Sequence, residues 1–236
     1  MNILAFDTCL GACSVAVGLD AGGALEQVEA IYEEMATGQA ERLMPMIDDA
    51  MRTAGLGFAE LNRIAVTTGP GTFTGTRIGV AAARALALAT GASLVGVSTL
   101  ALMAEAATHA IGSARQGRPI AVTVDAHRGQ VYVQTFAAEK TMPDVGPQLL
   151  TIDEAAALAA TGPILFVGSG AAAVAAAATA AGHVADAALP ALQPNAAFLL
   201  LAAQAYAPQD GPLRPIYLRP ADAKPQIGKS LARAAT

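Results

Sequence analysis

Histidine, cysteine and charge are all scarce in this chain, and each shortage removes a class of function. The three histidines, His109, His127 and His183, are dispersed, so no H-x-x-x-H or H-E-x-x-H pair sets two imidazoles on one helical face. No metal site is expected. Two cysteines, Cys9 and Cys13, cannot build a disulfide framework, and their spacing lacks the second pair a zinc site needs; they read as small buried residues or free thiols. A G-x-S-x-G nucleophile elbow is missing too, and no catalytic residue can be nominated. Charged residues make up only 14% of the 236 positions against 54% apolar ones, which excludes a disordered tether, but 58 of the apolar residues are Ala, which buries little area. Residues 85–104 and 155–182 lack charge at spanning length, yet the first holds Thr90, Gly91 and Ser93, and the second is broken by Gly162-Pro163, Gly168 and Gly170. No membrane partner is expected. The N-terminus also lacks a basic stretch and cleavage site before its first strand, so a cytoplasmic location is expected.

The length allows one medium domain or two small lobes. The net charge of -5 is unevenly spread. Residues 214–236 contain Arg214, Arg219, Lys224, Lys229 and Arg233 beside Asp222 alone, so this end is about +4 and the body about -9. An acidic body argues against a protein that grips nucleic acid unaided.

Along the chain, Asn2 to Asp7 and Cys13 to Gly18 read as two strands joined by a tight turn containing Gly11. Helical spacing of Leu43, Ile47, Ala50, Met51 and Ala54 predicts a helix from Gln39 to Ala54, with Pro45 kinking it or setting its start. A strand at Ile64 to Thr67 leads through the loop Thr68-Gly69-Pro70-Gly71-Thr72-Phe73-Thr74-Gly75 into a helix stopped by Gly91. A further strand, Leu94 to Val97, precedes an Ala-rich helix capped by Ser98 or Thr99. The cycle then repeats: Ile120 to Asp125, Gly129 and Val131 to Val133 echo the first hairpin about 118 residues on. Helices at Ile152–Ala160 (opened by Asp153), Ala171–Ala181 and Asn195–Ala207, with a strand at Ile164–Val167, complete a second half. The expected fold class is α/β with two duplicated lobes and a cleft between them, in three parts: 1–104, 105–220 and a flexible basic tail, 221–236.

The Gly69 to Gly75 loop suits an anion at a helix N-terminus, with Gly69 and Gly71 permitting close approach and Arg77 placed to meet a phosphate. It fits neither the Walker A nor the dinucleotide pattern, so a plain strand-to-helix turn, with Arg77 capping a neighbouring carboxylate, stays open. Asp7 and Asp125, at the mouths of the two hairpins, are candidates for a metal-nucleotide contact or for Asx-turns.

These residues carry a resemblance. Ile3-Leu4-Ala5-Phe6-Asp7-Thr8, Ala12-Cys13-Ser14-Val15-Ala16, Glu41-Arg42-Leu43-Met44-Pro45, Thr68 to Gly79, Gly96-Val97-Ser98-Thr99-Leu100 and Pro215-Ile216-Tyr217-Leu218-Arg219 resemble the TsaB (YeaZ) family. Its members are accessory subunits of the bacterial machinery that makes N6-threonylcarbamoyladenosine at position 37 of tRNA. The match runs in order through residues 1–220 and implies the two-lobed actin/Hsp70-like (ASKHA) fold. In that superfamily the catalytic subunit TsaD holds its metal through two histidines four residues apart, and here Thr99 and Met103 fall on those places. A hydroxyl and a thioether do not replace two imidazoles. The resemblance thus implies a non-catalytic subunit without a cofactor of its own, ATP or ADP belonging to the assembled complex, and it discounts older glycoprotease or metallopeptidase labels. Gln39 stands where relatives often carry His, and its role is open.

A chain without catalysis should offer a surface. Met35, Met44, Met46 and Met51 cluster around the Gln39 helix, and the next helix is rich in Ala and Gly, a combination suited to helix-on-helix docking. In the family the corresponding helices are thought to pair with TsaD or with a second copy. The expected interface is Leu43, Met44, Met46, Ile47, Met51, Ile78 and Ala82. TsaD, the ATPase TsaE and a homodimer are the expected partners, and tRNA is met only through the complex. The competing reading is an ASKHA enzyme, a nucleotide-dependent kinase or metallohydrolase using Asp7, Asp125 and the glycine loop.

Overall fold

The computed structural model describes residues 1–20, 25–138, 145–209 and 211–219. The expected tail at 221–236 lies outside them. Each half of the chain folds as three antiparallel strands followed by two parallel ones. In the first, β1 (Asn2–Asp7), β2 (Ala12–Asp20) and β3 (Leu25–Glu34) form a meander, and β4 (Arg63–Thr67) and β5 (Ser93–Val97) are added parallel to β1, giving the order β3-β2-β1-β4-β5. In the second, β6 (Ile120–Asp125), β7 (Gln130–Phe136), β8 (Gln148–Thr151), β9 (Ile164–Val167) and β10 (Ala185–Ala188) repeat the scheme as β10-β9-β6-β7-β8. The duplication extends to the helices. α1 (Gln39–Thr53), α2 (Phe73–Thr90) and α3 (Thr99–Ile111) follow the first three-strand unit, and α4 (Ile152–Ala156), α5 (Ala171–Ala180) and α6 (Ala196–Ala205) follow the second. This is the two-lobed actin-like α/β architecture.

The inner parallel strands β4 and β9 are continuous apolar runs because both faces are covered. Ile64, Ala65 and Val66 are fully buried, as are Ile164 to Val167. One core layer joins Leu4, Phe6, Val15, Val17, Ile64 and Val66 to Leu43, Met46, Ile47 and Met51 of α1. Another packs Val133, Phe166 and Val174. The largest lies between the sheets: Ile3, Ala5 and Val97 meet Ile120, Val122 and Val167 through Leu100, Leu102 and Met103 of α3 and Leu199 and Leu200 of α6. The two third-position helices are exchanged, α3 lying on β6 and β7 while α6 covers β1, β2 and β4. Their Ala-rich sequences permit this close double layer.

Pro45 sits inside α1, where its missing N–H leaves the Glu41 carbonyl without its helical donor. Ser98, not Thr99, caps α3, accepting from the N–H groups of Leu100 and Ala101. The helix expected at 152–160 is capped by Thr151 rather than Asp153: Thr151 and Glu154 form a reciprocal capping box, and α4 gives way to a 3-10 turn at Ala157–Thr161. Strands β3, β8 and β10 carried too little apolar alternation to be read. All three are edge strands, where fewer faces need covering.

Candidate functional site

The turn after β1 and the glycine loop after β4 meet at the centre of the first lobe. Thr72 caps α2, its hydroxyl accepting from the Gly75 N–H, while its own N–H donates to the Cys9 carbonyl at 2.7 Å. The Thr8 hydroxyl donates to the Gly75 carbonyl at 2.7 Å. The backbones are so close that a Cβ on Gly71 would lie 2.3 Å from the Cys9 oxygen, and one on Gly75 would lie 2.0 Å from the Thr8 oxygen. The approach the glycines allow is therefore taken up by the protein's own β1–β2 turn. Gly69 is held against α3 by the Thr99 N–H, which donates to its carbonyl at 2.9 Å. Arg77 points outward: its guanidinium lies 3.6 Å above the Phe73 ring, and Nε donates to the Tyr217 hydroxyl at 2.7 Å.

Asp7 is fully buried, its carboxylate accepting from the Thr67 hydroxyl and, across an Asx-turn, from the Cys9 N–H at 3.3 Å. Burial dominates over these hydrogen bonds and raises its pKa to about 6. Asp125 also closes an Asx-turn, to the His127 N–H at 2.8 Å, but it is exposed and sits with His127 at the inter-lobe cleft. The duplication places the two aspartates equivalently, and only Asp125 reaches the cleft. That cleft, of about 330 Å³, is lined by Leu10, Gly11, Thr72, Asp125, Ser169 and Gln193. Gln193 reaches across it, its Oε1 accepting from the Gly11 N–H at 3.0 Å.

Asp7 has a testable consequence. A carboxyl whose folded pKa lies above its unfolded value holds its proton more tightly when folded, so its stabilising share is complete below pH 4 and disappears as pH rises through about 6. Two pKa units correspond to about 3 kcal/mol. Asp7→Asn should remove this slope, which urea titrations of both proteins at pH 4 and pH 7 would read. Parallel pH profiles for the two proteins would refute the assignment.

Thr99 and Met103 are both fully buried, on the first and second turns of α3. The Thr99 hydroxyl has no hydrogen-bond partner, and Met103 lies inside the inter-lobe core. Among the described residues no three His, Cys, Asp or Glu side chains gather as metal ligands. A metal held as the resemblance implies for TsaD does not fit these two side chains. Burial first, and the Asp7 carboxylate next, push the Cys9 thiol to about 12, leaving it protonated and unreactive at neutral pH.

The expected interface divides. Leu43, Met46, Ile47 and Met51 are buried in this chain's own core, each at 1% exposure or less, and cannot present their side chains to a partner. This corrects the sequence expectation: they are the inward stripe that 3.6-residue periodicity requires, packed on Val15, Val17 and Val66. Met44 is 44% exposed on the opposite face, and Ile78 and Ala82 are half-buried. The outer face of α2 adds Ala81, Arg84, Ala85 and the 89% exposed Leu88, which line a shallow apolar depression. Leu88, Phe73 and Tyr217 carry no sequence expectation as site residues, and Arg77, expected at an anion, stacks on Phe73 and bonds Tyr217. Tyr217 could have been found, since an exposed aromatic in a Pro-Ile-Tyr-Leu-Arg run is an available signal.

A family model described as TsaD: tRNA N6-adenosine threonylcarbamoyltransferase matches residues 32–210. The tRNA threonylcarbamoyladenosine biosynthesis protein TsaB of Escherichia coli is 39% identical over 132 residues, 56% of this chain and 53% of that protein. The Haemophilus influenzae protein of the same name is 32% identical over 62% of this chain and 58% of its own. The chain thus spans little more than half the length of these curated relatives. An uncharacterised Mycobacterium tuberculosis protein is 37% identical over 80% of this chain and 79% of its own. Among solved structures, a Pseudomonas aeruginosa protein described as similar to peptidase YeaZ superposes with a TM-score of 0.72 at 27% identity, covering 92% of this chain and 99% of that one. YeaZ from the same organism superposes at 0.68.

Proposed function

The chain belongs to the family of the tRNA N6-adenosine threonylcarbamoyltransferase model, in its TsaB (YeaZ) branch, and from that premise we propose that it is a non-catalytic subunit of the t6A37 modification complex. It supports the catalytic subunit TsaD, with the ATPase TsaE joining the assembly, and it needs no cofactor of its own. The reading is supported above all by α3, where the two positions that would carry the metal-binding imidazoles hold Thr99 and Met103 sealed in the core. Met44 on α1 and Ala81, Ala85 and Leu88 on α2 give the docking face, and isolated copies pair through the same surface.

Reconstitution tests this. TsaD and TsaE with tRNA, ATP and an activated threonylcarbamoyl donor should modify tRNA at least tenfold faster when this chain is added, while the chain alone should modify none. Turnover by the pure subunit, or no stimulation of its partners, would defeat the proposal.

A further inference from the structure

We propose that the surface formed by Phe73, Arg77, Arg214, Tyr217 and Arg219 is a contact site for RNA, its guanidinium groups meeting phosphates and its rings stacking on a base. The observation behind it is the sorting of the arginines. Arg42, Arg52 and Arg118 pair with Glu33, Asp49 and Asp186. Arg63 and Arg115 are turned inward onto backbone carbonyls of Ala203, Phe136 and Ala137. Arg77, Arg214 and Arg219 have no carboxylate partner among the described residues, and all three belong to the segment 213–219 or touch it. Arg77 bonds the Tyr217 hydroxyl at 2.7 Å, and Tyr217 lies between Arg214 and Arg219 on one segment. That segment is fixed by the buried Leu213 and by the Ile216 N–H, which donates to the Thr68 carbonyl at 2.7 Å. Among the described residues Arg219 donates to neutral acceptors, Gln130 Oε1 at 2.8 Å and the His127 carbonyl at 3.5 Å.

An acidic chain that leaves these cations uncompensated on one patch keeps a local attraction for polyanions that its body lacks. The sequence beyond adds Lys224, Lys229 and Arg233 against Asp222. The rings suit a polyanion that carries stackable bases. Phe73 is 52% and Tyr217 47% exposed, with centroids 5.6 Å apart and Arg77 against both, which is a stacking platform beside a phosphate clamp. Arg84, also without a carboxylate partner among the described residues, stands seven residues along α2 within the apolar docking face, so it is assigned to the protein partner. The choice of RNA over an acidic protein rests on the tRNA-modification reading above.

The test is fluorescence anisotropy of a 5′-labelled 17-nucleotide RNA stem-loop with the full chain. Three phosphate contacts should weaken binding about twentyfold between 50 and 200 mM KCl. The triple variant R77Q/R214Q/R219Q should bind about tenfold or more weakly at low salt and lose most of that salt dependence. Phe73→Leu with Tyr217→Leu should weaken binding about fivefold at both salt concentrations and leave the slope intact. Arg52→Gln, removing an ion-paired arginine, should change nothing, and thermal melts of every variant should match the parent. The inference is overturned if R52Q weakens RNA binding as much as the triple variant does. It is overturned equally if the triple variant binds RNA normally but loses capture of TsaD, which would assign the patch to the protein partner. Failed reconstitution alongside the expected RNA pattern would remove the proposed function and leave this surface standing.

Discussion

Gly75→Ala should abolish folding, although alanine is the better helix former and Gly75 lies in the first turn of α2. The added Cβ would sit 2.0 Å from the Thr8 carbonyl oxygen and 2.7 Å from the Thr72 hydroxyl. The first of these atoms is backbone, fixed by the β1–β2 hairpin, and cannot swing aside. Separation requires moving α2 off the sheet, breaking the Thr8–Gly75 and Thr72–Cys9 hydrogen bonds together, a loss of about 4 kcal/mol or more, at the extreme of single substitutions. Gly91→Ala provides the contrast. Its φ of 76° is strained for alanine, but no atom lies within 4 Å of the new Cβ, so the cost should stay near 1 kcal/mol. Circular dichroism melts of both variants would separate the cases. A Gly75→Ala protein melting within a few degrees of the parent would show that the loop keeps its glycines for something other than this internal contact.

The second large effect concerns neighbours on α1. Met46→Asp should yield no soluble folded protein, because position 46 has 0% exposure and lies among the apolar side chains of the first lobe's core. Even Met46→Ala should cost about 2–5 kcal/mol, and an ionised carboxylate there has no partner. Met44→Asp, two residues away on the outer face, should leave urea stability within about 0.5 kcal/mol of the parent. The same change should reduce capture of TsaD at least tenfold if α1 docks as proposed. Unaltered capture by Met44→Asp would move the interface elsewhere. A pull-down with Met46→Asp carries no such information, since lost folding and lost binding look alike.

Much of the fold was written in local chemistry. The echo of Ile3–Asp7 in Ile120–Asp125, Gly91 at the end of α2 and Ser98 before α3 each depend on neighbours in the chain, and a sequence displays its neighbours. Edge strand β10, Ala-Asp-Ala-Ala, exists only because β9 offers it hydrogen bonds, so nothing in its own residues announces it. The candidate site divides in the same way. That Thr99 and Met103 are no metal ligands is a matter of side-chain type. That four of the seven proposed interface residues face inward depended on where α1's apolar stripe met the sheet.

By itself the sequence determined the duplicated strand-turn-strand plan, the family pattern through Gly69–Gly79 and the uneven spread of charge. Tertiary structure decided the rest: which face of α1 is buried, that Asp7 is sealed while Asp125 is exposed, that the glycines admit a backbone, and that Arg77 meets Tyr217 across 140 residues. The physical reason is range. Propensity, capping and charge are summed over a few adjacent residues, whereas burial and close approach belong to pairs of elements and acquire values only when the chain has folded.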